Sequence, residues 1–285
     1  MPSPFSHLEE SLSASRIGTY LRCPLRYYFR YVEHRPEERV GAALLLGIAV
    51  DQVMKQAVQA AKEGRDSVTP EEYFIEAFEK AVEGAKASIK WPARYDHPGT
   101  LDLGQRLVEA LTDVLLTEER LERIVAWDVP FTVPLLDERG QPMTSKPLIG
   151  IWDFCEQHEG GLVPLELKTA SNRTQYLPDH LQRDVQASIY AMAATTMGST
   201  KEPRVKYISA IKLKTPDVIE SENRCTPDQL RWIRGVITGV DRAIRTGEFV
   251  ARPSTMECGM CPYNSACAGS GGCARIGSKR IFSAA

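Results

Sequence analysis

Apolar side chains recur at helical spacing through the first part of the chain and at a period of two through much of the remainder. In residues 11–35, Ile17, Tyr20, Leu21, Leu25 and Phe29 follow the capping residues Ser13 and Ser15, and Pro24 breaks the run. Two short helices meeting at Cys23 are therefore expected. Residues 40–63, rich in alanine and leucine, read as a helix entered through Gly47. Pro70-Glu71-Glu72 places a proline at a first helical position and opens a helix over 70–90, and 100–125 form a third helical segment.

After Trp127 the pattern changes. VAWDVPFTVPLL, PLIGIWDFCEQ and LVPLELKTA alternate or run apolar over strand-length stretches, with Glu159-Gly160-Gly161 as a turn between the last two. A helix is expected from about 178 to 194, a strand over VKYISAIKL, and a helix over 227–246 opened by Thr226. The glycine- and serine-rich tail after Gly269 reads as poorly ordered. Without an internal repeat or a low-complexity linker, these segments describe one α/β core with a helical insertion. The expected divisions are N-terminal helices over 1–36, a helical region over 37–125, the core over 126–249 and a cysteine-rich segment over 250–285.

Composition adds little to this. A chain of 285 residues, 43% hydrophobic and 25% charged, has room for a sizeable core, and its net charge of -2 requires any basic surface to be local. The start MPSPFSHLEE lacks a basic segment followed by an apolar one, and no apolar run approaches membrane-spanning length, so an intracellular protein without a membrane partner is expected. Seven cysteines in such a chain favour reduced thiols and metal ligation over disulfides.

Chemistry concentrates in the hairpin of the two central strands. Glu166 and Lys168 lie two apart on a strand and share a face, and the Glu159-Gly160-Gly161 turn brings Asp153 alongside. Two carboxylates and an ammonium suit a Mg²⁺ or Mn²⁺ site, in which the ion acidifies a water and the lysine steadies developing negative charge. Glu166-Leu167-Lys168 is the one acidic-x-Lys tripeptide in the chain, and it ends an apolar strand. Gln186 and Tyr190, four apart on the next helix, share a face and can act on the lysine or a substrate; in isolation they are ordinary helix-surface residues.

Cys23 stands about 235 residues ahead of Cys258-x2-Cys261-x5-Cys267. One distant cysteine joined to a local run fits an iron–sulfur cluster better than a disulfide framework, and better than structural zinc, which is usually built from two local pairs. Zinc on the same four residues is the rival. Cys273 is a possible substitute ligand set in a glycine-rich tail, and Cys155 and Cys225 read as half-buried thiols. His7, His34 and the other histidines lack ligand-like spacing.

The order Asp153, Glu166-x-Lys168, Gln186-x3-Tyr190, framed by Cys23 and by Cys258, Cys261 and Cys267, resembles the RecB-type branch of the PD-(D/E)XK nucleases. More narrowly it is similar to the iron–sulfur members: the CRISPR-associated RecB-like exonucleases, their phage relatives and the AddB-type nuclease domains. The stretch Ser13 to Ile17 and Tyr20 to Pro24 shares that look. The resemblance implies a restriction-endonuclease-like core, a central mixed sheet flanked by helices, with an iron–sulfur-stapled subdomain made of the two chain ends. It implies that Asp153, Glu166 and the Leu167 carbonyl ligate the metal, that Lys168 is the catalytic lysine, that Gln186 and Tyr190 form the accessory motif, and that the four cysteines hold a 4Fe-4S cluster. Where the family often carries a histidine in a G-x3-H setting, this chain has Gly47-Ile48-Ala49-Val50-Asp51, and Asp51, a harder donor, is expected to bind the ion directly or through water. The alternative for Asp51 is a solvated helix aspartate.

Arg16, Arg22, Arg26 and Arg30, set among Tyr20, Tyr27, Tyr28, Phe29 and Tyr31, offer phosphate contacts and stacking surfaces for a single DNA strand, although Tyr27 and Phe29 fall at core spacing. The expected activity is sequence-nonspecific, metal-dependent DNA exonuclease action on single strands or ends, in a prokaryotic or phage-encoded cytoplasmic protein whose expected partners, besides DNA, are further copies of itself or proteins of a DNA-processing complex. The alternative is a DNA-end processing subunit of a recombination or CRISPR-adaptation complex; lacking a G-x4-G-K-[ST] loop, the chain would take any motor from a partner.

Overall fold

The computed structural model describes residues 11–65, 69–137 and 139–270. In chain order these form β1 (Leu12–Ser13), α1 (Ala14–Arg22), α2 (Pro24–Tyr31), β2 (Arg39–Gly41), α3 (Ala42–Lys62), α4 (Pro70–Glu83) and β3 (Ser88–Lys90). There follow α5 (His97–Leu115), α6 (Glu118–Arg123), β4 (Ile124–Val133), β5 (Leu148–His158), β6 (Gly161–Ala170), α7 (Pro178–Leu181) and α8 (Val185–Thr196). β7 (Arg204–Ile211), β8 (Asp217–Arg224), α9 (Pro227–Arg245), α10 (Thr255–Met260) and α11 (Asn264–Gly269) follow in the described residues. Two compact units result: one of residues up to Arg39, Pro134–Ile149 and Trp232 onward, the other of Val40–Val133 and Gly150–Arg231.

In the first unit, Ser13 caps α1 by accepting the Arg16 N–H, and Pro24 takes the first position of α2, where its missing N–H costs nothing. Cys23 is left extended between the two helices. Leu12 and Ser13 pair in parallel with Leu148 and Ile149. Phe29, Tyr263 and Cys267 form a small core. The buried Asp241 carboxylate accepts both the N–H and the hydroxyl of Ser145, at 3.0 and 2.7 Å, which satisfies a charge that burial would otherwise make costly.

In the second unit, α3, α4 and α5 gather Leu46, Met54, Phe74, Phe78 and Leu107 into one core that continues onto Phe154, Leu165, Leu167, Ile208 and Ala210 of the sheet. The strands follow the order β4-β5-β6-β7-β8, with β5–β6 and β7–β8 antiparallel and β6–β7 parallel, so the sheet is mixed. β6 is buried continuously from Val163 to Leu167, as a strand covered on both faces must be. Gly161, with φ +114°, closes the β5–β6 hairpin where an added Cβ would lie 2.2 Å from the Ser199 carbonyl oxygen, so only glycine fits.

The helix expected to enter at Gly47 begins at Ala42; Gly47 lies inside it, its hydrogen facing Thr169 Oγ1. The 70–90 helix ends at Glu83, and Ser88–Lys90 are extended. The 100–125 segment begins earlier, at the Asp96 cap, and restarts at the Thr117 cap. The helix expected over 178–194 is two, because Asp184 caps a fresh start by accepting the Ala187 N–H at 2.7 Å. β8 was absent from the expected elements: its glutamates hide the strand signal and serve as partners, Glu220 to Arg120 and Glu222 to Arg204. Cys155 and Cys225 are buried, not half-buried, and burial pushes their thiols up to about 12 and about 11. The tail beyond Ser270, Cys273 and His7 lie outside the described residues. No helix among the described residues is long and apolar enough to cross a membrane.

Candidate active site

Five elements of the second unit place the site. α3 carries Asp51 and Lys55 one turn apart on a shared face, β4 carries Asp128, β5 Asp153, β6 the Glu166-Leu167-Lys168 run, and α8 Gln186 and Tyr190. The β5–β6 ladder is regular from His158↔Gly161 to Phe154↔Leu165. Beyond that pair, side chains replace ladder bonds: Asp153 Oδ2 accepts the Leu167 N–H at 2.9 Å, and Glu166 Oε1 accepts the Asp153 N–H at 3.3 Å. Both carboxylates are thereby fixed by backbone. The Leu167 carbonyl leaves the strand on the same edge as its N–H, toward Asp153, since the two groups of one strand residue point the same way.

Glu166 is 1% exposed, and its Oε2 accepts from Lys168 Nζ at 2.8 Å and from Gln186 Nε2 at 3.1 Å. Tyr190 packs edge-on to Phe131, whose ring in turn lies tilted against Trp152. Gly150 makes this wedge possible, because a Cβ there would come within 2.4 Å of the Phe131 ring. Asp153, Glu166, Leu167, Lys168, Gln186 and Tyr190 are thus brought into one neighbourhood.

Asp51 joins them through a residue the sequence reading missed. Lys55 Nζ lies 2.8 Å from Asp51 Oδ2, 2.7 Å from Asp128 Oδ1 and 3.2 Å from Asp153 Oδ1. The available signal was an aspartate–lysine pair at i,i+4 on a helix, which reads as an ordinary surface pair. Asp128 carried none, since its backbone is left-handed (φ +48°) within a strand and escapes the alternation.

The electrostatics follow from burial among like charges. Glu166 is pushed up to about 8, first by burial and then by Asp153 against the opposing pull of Lys168. Asp51 rises to about 6 for the same two reasons. Burial alone would depress both lysines, but Asp153 and Asp51 hold the Lys55 ammonium above its ordinary value, and Glu166 and Asp153 do so for Lys168. Burial raises the Tyr190 phenol well above its usual range. Glu166 and Asp51 therefore hold their protons more tightly than free carboxyls do.

Among the described residues no three His, Cys, Asp or Glu side chains are drawn up in ligating geometry. At this site two ammonium groups lie between the carboxylates. The donor set is nevertheless one a hard divalent ion accepts, all oxygen, with Asp51 Oδ1 buried and without a hydrogen-bond partner. A cationic group already held by three of these carboxylates shows that the pocket attracts positive charge.

In the first unit, Cys23, Cys258, Cys261 and Cys267 line one cavity of about 30 Å³ with Leu25, Phe29 and Pro253. No disulfide joins the six described cysteines to one another. Backbone N–H groups already point at sulfur, from Arg252 to Cys23 at 3.5 Å and from Ser254 to Cys258 at 3.4 Å. Four cysteines, an apolar wall and amide donors to sulfur suit a thiolate-held cluster.

The residues expected to meet DNA are divided. Tyr20 is 6% exposed, and its hydroxyl donates to the Glu248 carbonyl at 2.6 Å, so its ring is packed against Tyr27 and Phe249. Tyr27 and Phe29 are core. Arg16 donates to the Ser11 carbonyl and lies over the Tyr31 ring, and Arg26 pairs with Glu257 beside the cysteine cavity. Arg22 and Arg30 are exposed.

Comparison with known proteins bears on the fold and the family. A solved structure of a protein from Eubacterium rectale, described as a "putative exonuclease", is similar over 99% of this chain and 94% of its own, at TM-score 0.56 and 15% identity, which bears on the fold alone. Another, SSO0001, overlaps 86% of this chain and 94% of its own at 15% identity, and its TM-score of 0.37 is too low to carry weight. No match was found among curated proteins. The profile of the PD-(D/E)XK nuclease superfamily, in contrast, matches residues 11–268, nearly the whole described chain, and the chain belongs to that superfamily.

Proposed function

We propose that this nuclease is a divalent-metal-dependent DNA exonuclease, acting without sequence specificity on single strands or frayed ends, with a 4Fe-4S cluster on Cys23, Cys258, Cys261 and Cys267. The observation that carries the reading is the meeting of Asp153, Glu166 and Lys168, with Lys168 Nζ 2.8 Å from Glu166 Oε2 and the strand ladder opened to fix both carboxylates.

Asp153, Glu166, Asp51 and the Leu167 carbonyl would hold Mg²⁺ or Mn²⁺, which when bound supplies Lewis acidity and a water of lowered pKa. The protein's part is positioning. The Asp153 carboxylate is held in place by the Leu167 N–H. Lys168 presents an ammonium that steadies negative charge on the phosphate oxygens as the phosphodiester is attacked. Gln186 ties the far oxygen of Glu166, and Tyr190 closes the apolar wall behind it.

The cysteine site contributes stability to the unit that contains it, since a ligand set assembled only in the folded chain returns its binding energy as folding energy. A colourless, zinc-rich protein after anaerobic purification would contradict the cluster. The reaction is tested with labelled single strands blocked in turn at the 5′ and 3′ ends, with and without Mg²⁺ or Mn²⁺. Degradation stopped by one block supports an exonuclease and gives its polarity, whereas cleavage indifferent to both blocks would replace it by an endonuclease.

A further inference from the structure

Lys55 has no part in the chemistry described so far, yet it is the most heavily contacted cation in the site. Its side chain is 12% exposed, and its ammonium lies between Asp51, Asp128 and Asp153, within 3.2 Å of an oxygen of each. The group reaches this point from α3, one turn beyond Asp51, and is met from the other direction by Asp128, whose left-handed backbone departs from the strand around it. A non-glycine residue held there is uncommon, and aspartate is among the few that tolerate it. The outer carboxylate is 57% exposed in its side chain, while the inner oxygens of Asp51 and Glu166 are buried.

Charge balance fixes what this arrangement means for a metal. Fully ionised, as ion ligation requires, Asp51, Asp128, Asp153 and Glu166 bring four negative charges, and Lys55 and Lys168 return two positive ones. The remainder equals the charge of one divalent ion. Two-metal phosphodiesterases set their ions about 3.5–4 Å apart, on carboxylates that bridge both. Asp153 is the bridging candidate here, with Oδ2 toward Leu167 and Oδ1 toward Lys55.

We propose that Lys55 is a built-in second cation: its ammonium fills the outer position of the carboxylate cluster, so that the chain binds a single divalent ion, on the Glu166 and Leu167 side. The proposal rests on the metal-dependent reading above and specifies its stoichiometry. Lys55 is a positioning residue, which ties one oxygen each of Asp51 and Asp153 to the outer position. Replacing it by a neutral side chain raises the excess carboxylate charge of the metal-free cluster from two to three and opens the outer position to a second ion.

The test is a Mn²⁺ titration of the full chain, with bound ion counted by electron paramagnetic resonance and folding checked by thermal melting. Wild type is expected to bind one Mn²⁺, Lys55→Met two, and Lys55→Arg, which keeps the cation, one. The second ion in Lys55→Met should give a spin-coupled signal absent from wild type, with affinity at least tenfold above any second binding in the parent. If Lys55→Met does not fold, Lys55→Gln serves in its place. Two ions in wild type, or one in a folded neutral variant, would overturn the proposal and leave the metal-dependent reading intact. No Mn²⁺ in wild type would overturn both.

Discussion

Asp153 reaches across the open end of the β5–β6 hairpin and accepts the backbone N–H of Leu167 at 2.9 Å, in the place where a ladder bond would otherwise form. Glu166 returns the exchange by accepting the N–H of Asp153. The fold thus uses two acidic side chains to finish a pair of strands, and the same exchange sets their orientation for the metal proposed above. A carboxylate ordered by backbone loses little further freedom when it takes up an ion, which is the pre-organisation a phosphodiesterase site needs.

The wedge behind the site is equally constrained. Gly150→Ala places a methyl group within 2.4 Å of the Phe131 ring, which is itself locked between Trp152 and Tyr190. Overpacking of this kind costs about 1–3 kcal/mol. Urea unfolding should show the loss, with reduced cleavage because Tyr190 shares the displaced contact; unchanged stability would show that the ring has room to move.

Acid stability should reside in a second buried cluster. Glu156 is fully buried, and although burial would raise its pKa, hydrogen bonds from Lys206 and His158 and the charge of Arg120 bring it down to about 2. Its folded value lies below its unfolded one of 4.5, so its contribution is present above pH 4.5 and disappears as pH falls toward 2. The difference corresponds to about 3 kcal/mol. Melting temperatures of wild type and Glu156→Gln measured from pH 7 to pH 3 should converge in that window. Curves that stay parallel would remove Glu156 from the acid limb.

Much of this was legible in the residues. The hairpin announced itself because Asp153, Glu166 and Lys168 interrupt strands that are otherwise apolar, and a period of two fixes which residues share a face. The helices met at Cys23 as read, since proline and serine act locally. What escaped depends on tertiary company. β8 alternates too weakly for detection and is a strand because β7 pairs with it along its whole length. Lys55 and Asp128 are 73 positions apart and acquire a role only when the fold brings them to 2.7 Å. The aromatic residues beside the first arginines looked available for stacking on bases, and packing consumed Tyr20, Tyr27 and Phe29 instead.

The cysteine cavity yields a prediction separable from catalysis. Cys258→Ser should lower the melting temperature and the iron content together, while DNA cleavage falls only in proportion to the folded fraction, because none of the four cavity cysteines belongs to the unit that carries Asp153, Glu166 and Lys168. Full iron content in the variant would remove Cys258 from the ligand set.

The central claim, that Asp153, Glu166 and Lys168 form a metal-dependent phosphodiesterase site, is tested most directly by the rate of cleavage of end-labelled single-stranded DNA. Wild type and Lys168→Ala should be compared with Mn²⁺ and with chelator. Cleavage should require Mn²⁺, and Lys168→Ala should lower kcat by about two to three orders of magnitude with its fold retained. Cleavage that survives chelation, or a folded Lys168→Ala variant as fast as wild type, would contradict it.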